Sequence, residues 1–273
     1  METRNIIKQF IKQNEKFKII KETRKLITPI TNELIILDSS FNPPHLGHYS
    51  MIKQSILDLN KRNNINTSTI NNKSILLLFS IENADKQNNL SIDTYVHRIN
   101  MVDLMTKYID QELGLACGIG LIKSSLFIDK SNLINDWLSG YTSEGKEKIS
   151  QIFLLGYDTV IRLFNMKYYP NSDNINEALK PLFDNSKICV FLRKSDKSDE
   201  DEKEITKQIE YLKNLQKLLN DESKILICMS ENEWNISSSS IRNSVQNGND
   251  DKSWNSQVIH SIRDYINRNG LYQ

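Results

Sequence analysis

The stretch DSSFNPPHLGHYSMI, residues 38–52, is the most informative part of this 273-residue chain. Two consecutive prolines fix their own φ angles and keep the preceding residues extended, so they end the apolar run that comes before them. A helix can begin directly afterwards, at His45 or Leu46. His45 and His48, two of the four histidines of the chain, would then lie on its first turn. The stretch predicts a strand, a tight turn and a helix, with two imidazoles at the turn.

Apolar runs like the one before this turn recur along the chain, each followed by a longer helical pattern. They are apolar nearly throughout rather than alternating, which is typical of strands covered on both faces. The runs are 33–39, 73–80, 118–124, 151–156, 187–193 and 224–230. Apolar residues at helical spacing follow at 49–59, 93–113, 202–219 and 257–268. The alternation predicts the α/β class, with a Rossmann-like doubly wound parallel sheet of about six strands.

The domain organisation follows from the same pattern. The first ~25 residues mix charge with Ile and Phe and are interpreted as one amphipathic helix, so residues 1–30 form an N-terminal helical extension. Residues 31–273 form a single domain. The polar segments 61–73 and 194–204 are interpreted as solvated insertions of that domain.

Composition narrows the function classes. A net charge of +1 and a pI of 7.6 leave no electrostatic footprint for nucleic acid or an anionic membrane. No apolar run approaches the ~20 residues of a membrane span, and the N-terminus lacks a secretory pattern. Three cysteines without CxxC spacing, two of them (Cys189 and Cys228) in apolar runs, predict buried free thiols and a reducing compartment. We expect a soluble protein of the cytoplasm, the nucleus or both.

The histidine pair points to phosphate chemistry. The turn lies beyond the carboxyl end of a parallel strand, where open α/β sheets bind ligands, and the free N–H groups of a helix start favour anions. Gly47 lets the backbone approach a nucleotide closely. Two other interpretations stay open. The pair could bind a metal, although His97 and His260 lie far off in other patterns and zinc needs further ligands. One histidine could also simply cap or pack.

Two further segments carry polar groups at predicted strand ends. NEWNISSSSIRNSV, residues 232–245, places Ser238 or Ser239 to cap a helix with Arg242 in its first turn, where hydroxyls and a guanidinium suit polyphosphate oxygens. A run of serines can equally be a polar loop. GYDTVIRLF, residues 156–164, places Asp158 at a strand end, where it could accept from a sugar hydroxyl or an amide, or cap the next helix.

These segments, in this order, resemble the nicotinamide mononucleotide adenylyltransferase family of the HxGH nucleotidyltransferases. The motifs are SSFNPPHLGH (39–48), GYD (156–158) and ISSSSIR (236–242). The likeness spans residues 33–272 and is greatest to a divergent fungal subgroup. It implies a nucleotidyltransferase-type fold and transfer of AMP from ATP to nicotinamide mononucleotide, giving NAD and pyrophosphate.

The resemblance also implies roles for individual residues. His45 and His48 would hold the ATP phosphates, and His48 would stabilise the transition state. The implied ATP-binding residues are Ser40, Phe41, His45, His48, Ser238, Ser239 and Arg242. The implied substrate-binding residues are Ser40, Phe41, Lys86 and Asp158. Mg²⁺ would arrive on the ATP phosphates without a metal site built by the protein. ATP and nicotinamide mononucleotide are the expected partners, and a homo-oligomer is compatible with the sequence.

One departure from the family concerns the nicotinamide ring. Many members stack it on a tryptophan shortly after the third strand, whereas Trp137 lies too late in this chain. Phe127 or Lys130 could take that place, and Tyr168 and Tyr169 could supply an aromatic wall. The departure leaves open a protein that binds or slowly hydrolyses ATP in a regulatory role, without making NAD.

Overall fold

The computed structural model describes residues 2–62, 72–81, 91–141, 148–192, 201–228, 236–247 and 253–273. The strands are β1 (Phe17–Glu22), β2 (Glu33–Asp38), β3 (Lys73–Ser80), β4 (Cys117–Ile122), β5 (Ser150–Gly156), β6 (Ser186–Phe191) and β7 (Ile225–Cys228). The helices are α1 (Glu2–Lys12), α2 (Leu46–Arg62), α3 (Ile92–Leu113), α4 (Phe127–Ser139), α5 (Tyr157–Leu163), α6 (Ile175–Asn185), α7 (Asp201–Leu218), α8 (Ser238–Gln246) and α9 (His260–Arg268).

The strands form one seven-stranded sheet in the order β1-β4-β3-β2-β5-β6-β7. The six strands from β2 to β7 are mutually parallel, and β2 lies between β3 and β5. In β2, Ile36 pairs with Leu76 on one side and Phe153 on the other. The predicted α/β class and doubly wound parallel sheet are confirmed.

The seventh strand is β1, which the sequence analysis placed inside a single N-terminal helix. That prediction is wrong, because α1 ends at Lys12 and the chain then runs antiparallel along β4, with Phe17 opposite Ile122. Gly120 of β4 permits this docking, since a Cβ there would lie 3.0 Å from Cε2 of Phe17. The extension thus adds a strand to the sheet edge as well as a helix.

Both faces of the sheet are buried, which explains the nearly continuous apolar runs. Successive side chains of β2 alternate between two cores: Ile35 and Leu37 belong to one, Leu34 and Ile36 to the other. Helices α1, α2, α3 and α9 contribute to the first core, and α4, α6 and α7 to the second. None of the helices in the described ranges has the length and apolar character required to cross a bilayer.

Two of the three cysteines form a disulfide. Cys189 of β6 and Cys228 of β7 lie on adjacent strands with their Cα atoms 6.4 Å apart, and both are buried. Cys117 on β4 is a buried free thiol. The prediction of free thiols is wrong for the other two, because strand pairing brings together residues 39 positions apart.

Candidate functional site

The candidate site lies where the strand order reverses. From β2 the chain continues outward to β3 and β4, then returns to β5 on the other side of β2 and continues to β6 and β7. Open α/β sheets bind ligands beyond the carboxyl ends of the strands at such a point. A cavity of about 280 Å³ occupies this position. Its lining comprises Leu37, Asp38, Ser39, His45, Gly47, His48, Met51, Leu154, Leu155, Gly156, Asp158, Thr159, Arg162, Phe191, Leu192, Ile236, Ser237 and Ser238.

The two histidines face this cavity from the start of α2. The helix begins at Leu46, as the double proline predicts, and the backbone N–H of Leu46 donates to the carbonyl of Gln257 at 2.8 Å. The rings of His45 and His48 stack with centroids 3.8 Å apart and planes tilted by 32°. No group of three or more His, Cys, Asp or Glu side chains in the described ranges could hold a metal ion.

The hydrogen bonds of His48 fix its tautomer. Its Nδ1 lies 3.1 Å from the backbone N–H of His45 and accepts from it, so the ring proton resides on Nε2. Nε2 lies 3.0 Å from Oγ of Ser39, at the edge of the cavity. Burial, followed by the nearby charge of His45, lowers the pKa of His48 well below its ordinary 6.5. His48 is therefore a neutral hydrogen-bond donor at pH 7, and its Nε2–H, which donates to Oγ of Ser39 in this structure, lies at the edge of the cavity.

The turn that precedes the histidines is held in a strained conformation. Phe41 is fully buried with φ at 45°, a left-handed value uncommon for a residue with a Cβ. Its ring packs against His48 at 5.1 Å between centroids. The guanidinium of Arg98 in α3 donates to the carbonyl of Ser40 at 2.8 Å from Nε and also through Nη2. Arg98 lies over the ring of Phe79 at 4.6 Å, so the turn is anchored to the sheet.

Helix α8 binds the same turn from the other side. The N-cap is Ser237, whose Oγ accepts from the backbone N–H of Ser240. The prediction of a cap at Ser238 or Ser239 is therefore wrong by one or two residues. Ser238 instead donates from Oγ to the carbonyl of Pro43 at 2.8 Å. Its hydroxyl thereby joins the start of α8 to the turn before α2.

Arg242 also reaches the turn. Its Nη1 donates to the carbonyl of Asn42 at 2.7 Å, and its Nη2 donates to Oγ of Ser239 at 3.1 Å. Tyr272, after α9, donates from its hydroxyl to Oδ1 of Asn42 at 2.7 Å. Three segments that are distant in sequence thus hold one turn, and the starts of α2 and α8 face one cavity. Positive helix ends favour anions there.

Of the other predicted site residues, Asp158 lies at the cavity and Tyr169 does not. Asp158 lines the cavity as the second residue of α5, whose N-cap is Gly156; the alternative that Asp158 is the cap is wrong. Tyr169 lies elsewhere: it is buried in the second core, and its hydroxyl donates to the carbonyl of Leu163 at 2.8 Å. A short 3₁₀ turn at Met166–Tyr168 directs it inward. Lys86 lies outside the described residues.

The structure adds lining residues and a contact that were not predicted from the sequence. Asp38 and Arg162 line the cavity, and Lys130 forms an ion pair with Asp38 at 2.5 Å. Asp38 could have been predicted, because it is a charged residue at the carboxyl end of an apolar strand. The contacts of Arg98 and Tyr272 with the turn were not predicted, because they span 58 and 230 residues.

Comparison with known proteins agrees with the sequence resemblance. A family model described as cytidylyltransferase-like matches residues 36–244. A Schizosaccharomyces pombe protein named "Putative nicotinamide mononucleotide adenylyltransferase" is 28% identical over 215 residues, covering 79% of this chain and 72% of the relative.

Two solved structures of Plasmodium falciparum nicotinic acid mononucleotide adenylyltransferase, complexed with NaAD and with APC, also match. Each is 18% identical and covers 88% of this chain and 97% of the other. Their TM-scores are 0.49 and 0.48.

Proposed function

Because the chain belongs to the cytidylyltransferase-like family, we propose that it transfers AMP from ATP to nicotinamide mononucleotide, with NAD and pyrophosphate as products. One observation carries the proposal: the neutral, proton-donating His48 and the start of α8 face the same cavity at the sheet's switch point. The name of the S. pombe relative supports the choice of acceptor.

The chemistry requires positioning rather than a protein nucleophile. An oxygen of the mononucleotide phosphate attacks the α-phosphorus of ATP, the bond from the α-phosphorus to the bridging oxygen breaks, and pyrophosphate leaves. Charge builds on the phosphate oxygens, so fixed donors in a closed site lower the barrier. His48 donates from Nε2–H, and His45 stacks beside it.

The triphosphate would lie between the starts of α2 and α8. Ser238 and Ser239 would offer hydroxyls, and Arg242, already bound to the turn through Asn42, would supply positive charge from the far side. The apolar part of the cavity, which includes Phe191 and Leu192, suits a flat base. Mg²⁺ would enter as part of the MgATP substrate and retain most of its waters.

The acceptor mononucleotide would contact the turn and α5. Ser40 and Phe41 would present backbone groups to the substrates, and Asp158 would accept from a ribose hydroxyl or the nicotinamide amide. Lys86 stays a predicted phosphate contact. Tyr169 is withdrawn from this set, because its hydroxyl is bound to Leu163 and its ring lies in the core.

The burial of Tyr169 favours one second candidate, since it removes an aromatic wall for nicotinamide. In that candidate the protein binds or slowly hydrolyses ATP in a regulatory role. Both candidates share the phosphate site and differ in their products.

Incubation of the purified chain with MgATP and either nicotinamide or nicotinate mononucleotide tests the proposal. We expect formation of a dinucleotide and pyrophosphate, and formation of both that is about 10²–10³-fold slower in His48→Ala. ADP or AMP without any dinucleotide would refute the transfer reaction and support the ATP-hydrolysing candidate.

A further inference from the structure

A buried ion pair lies beneath the cavity. The ammonium of Lys130 in α4 is 2.5 Å from Oδ2 of Asp38, the last residue of β2. The Lys130 side chain is 5% exposed and that of Asp38 is 11% exposed. The hydroxyl of Ser80, at the end of β3, donates to the other oxygen of Asp38 at 3.1 Å. The ring of Phe127 covers the ammonium, with its centroid 4.9 Å from Nζ.

The two members of this pair present different surfaces to a ligand. Asp38 lines the cavity, whereas Lys130 is buried behind it and covered by Phe127. A ligand therefore meets a carboxylate whose charge is balanced from the rear. Each carboxylate oxygen can accept more than one hydrogen bond, so Asp38 can still accept from a ligand N–H.

The pair lies on the opposite face of the sheet edge from the histidines. Consecutive strand residues point to opposite faces. Leu37 of β2 belongs to the first core, which includes residues of α2, and the next strand residue, Asp38, contacts Lys130 of α4. A mononucleotide whose phosphate lies at His48 can therefore extend its base past the strand end toward Asp38.

We infer that the Asp38–Lys130 pair determines the base specificity of the site and selects a neutral carboxamide over a carboxylate. This inference rests on the proposed function and names its substrate class. The amide –NH₂ of nicotinamide would donate to Asp38. The carboxylate of nicotinate would meet a like charge and could not reach the ammonium behind it. Arg162 and Asp158, which also line the cavity, lie on α5 and contribute charges of both signs.

The first test variant removes the charge of Asp38 and keeps that of Lys130. In Asp38→Asn the like charge that faces the ligand is gone and the ammonium of Lys130 is no longer balanced, so nicotinate is no longer repelled and experiences a net positive field. We expect the ratio of kcat/KM for nicotinate over nicotinamide mononucleotide to rise about ten- to hundredfold, the effect of removing one nearby like charge. The double variant Asp38→Asn/Lys130→Met has no buried charge. The double variant should therefore be more stable than Asp38→Asn, which keeps an unpaired buried ammonium. Its ratio of kcat/KM should rise less than that of Asp38→Asn.

A second buried ion pair in the same strands supplies the control. Glu33 and Lys73 are the first residues of β2 and β3, at the end of the strands away from Asp38. Their charged atoms lie 3.0 Å apart, and their side chains are 15% and 4% exposed. Glu33→Gln should lower stability without changing the substrate ratio. A ratio unchanged in both Asp38 variants, or changed equally by Glu33→Gln, would overturn the inference, as would a wild-type preference for nicotinate.

Binding measurements separate this inference from the proposed function. The dissociation constants of both mononucleotides are measured by calorimetry for each variant, independently of turnover. If the wild type makes no dinucleotide but its binding ratio shifts in Asp38→Asn as expected, the reaction is refuted and the specificity inference stands. If neither mononucleotide binds, both are refuted.

Discussion

Replacement of His48 by alanine is the most direct test of the proposed chemistry. The substitution removes a ring whose proton resides on Nε2, because Nδ1 accepts from the backbone N–H of His45. Loss of one such donor to a transition-state oxyanion typically costs about 10²–10³ in kcat, or roughly 2.7–4 kcal/mol. We expect a loss in that range, measured as dinucleotide formed per unit time at saturating MgATP.

The control for this variant is His260→Ala. His260 is exposed on α9 and lies outside the cavity. Thermal unfolding and circular dichroism of both variants should show that the fold is retained. His48→Ala turnover within threefold of wild type, with an intact fold, would refute the role of His48.

The pH dependence of stability provides a second test of the neutral state of His48. Because its pKa is lowered in the fold, the unfolded chain takes up a proton below pH 6.5 that the folded chain does not. Stability should therefore fall as the pH drops below 6.5, with a slope of up to about 1.4 kcal/mol per pH unit. In denaturant titrations the free energy of unfolding of wild type should show this decrease below pH 6.5, and that of His48→Ala should lack the part due to His48. A constant difference between them across pH 5–7 would show that the ring is not held neutral.

Three other changes have defined outcomes. Arg242→Ala should weaken ATP binding by about 1.5–3 kcal/mol; an unchanged dissociation constant would remove Arg242 from the site. Tyr169→Phe should cost about 0.5–1.5 kcal/mol of stability with turnover unchanged. Since burial raises the pKa of Tyr169 to about 12, wild-type stability should decrease between pH 10 and 12 more than that of Tyr169→Phe. Reduction of the Cys189–Cys228 disulfide should cost about 4 kcal/mol, given the 39-residue separation. Thiol titration in denaturant should find one free thiol before reduction and three afterwards; three beforehand would exclude the disulfide.

Sequence reasoning succeeded where the signal was local. The six apolar runs were long enough to mark buried parallel strands, and the double proline fixed the start of α2 to within one residue. It failed where the structure depends on distant partners. The segment FKIIKE has helical spacing when considered alone, and becomes β1 only because β4 offers an edge about 100 residues later.

The site shows the same division. Short motifs predict His45, His48, Ser238 and Asp158, and all four line the cavity. Asp38 and Lys130 were not identified as a pair, because their contact spans 92 residues. Tyr169 was misjudged because an aromatic residue after a strand can point to either the cavity or the core, and only packing decides.

The anchoring of the turn before α2 has a consequence for protein synthesis. The turn belongs to the first 50 residues to be translated, but its partners Arg98, Ser238, Arg242 and Tyr272 follow it by 58, 195, 200 and 230 residues. While α8 and α9 are still on the ribosome, Arg98 is the one of these four partners that can already hold the turn containing Phe41. A nascent chain should therefore have no affinity for nucleotide until α9 has emerged. ATP in the cell would then bind finished molecules and stabilise them by mass action, without trapping partly made ones.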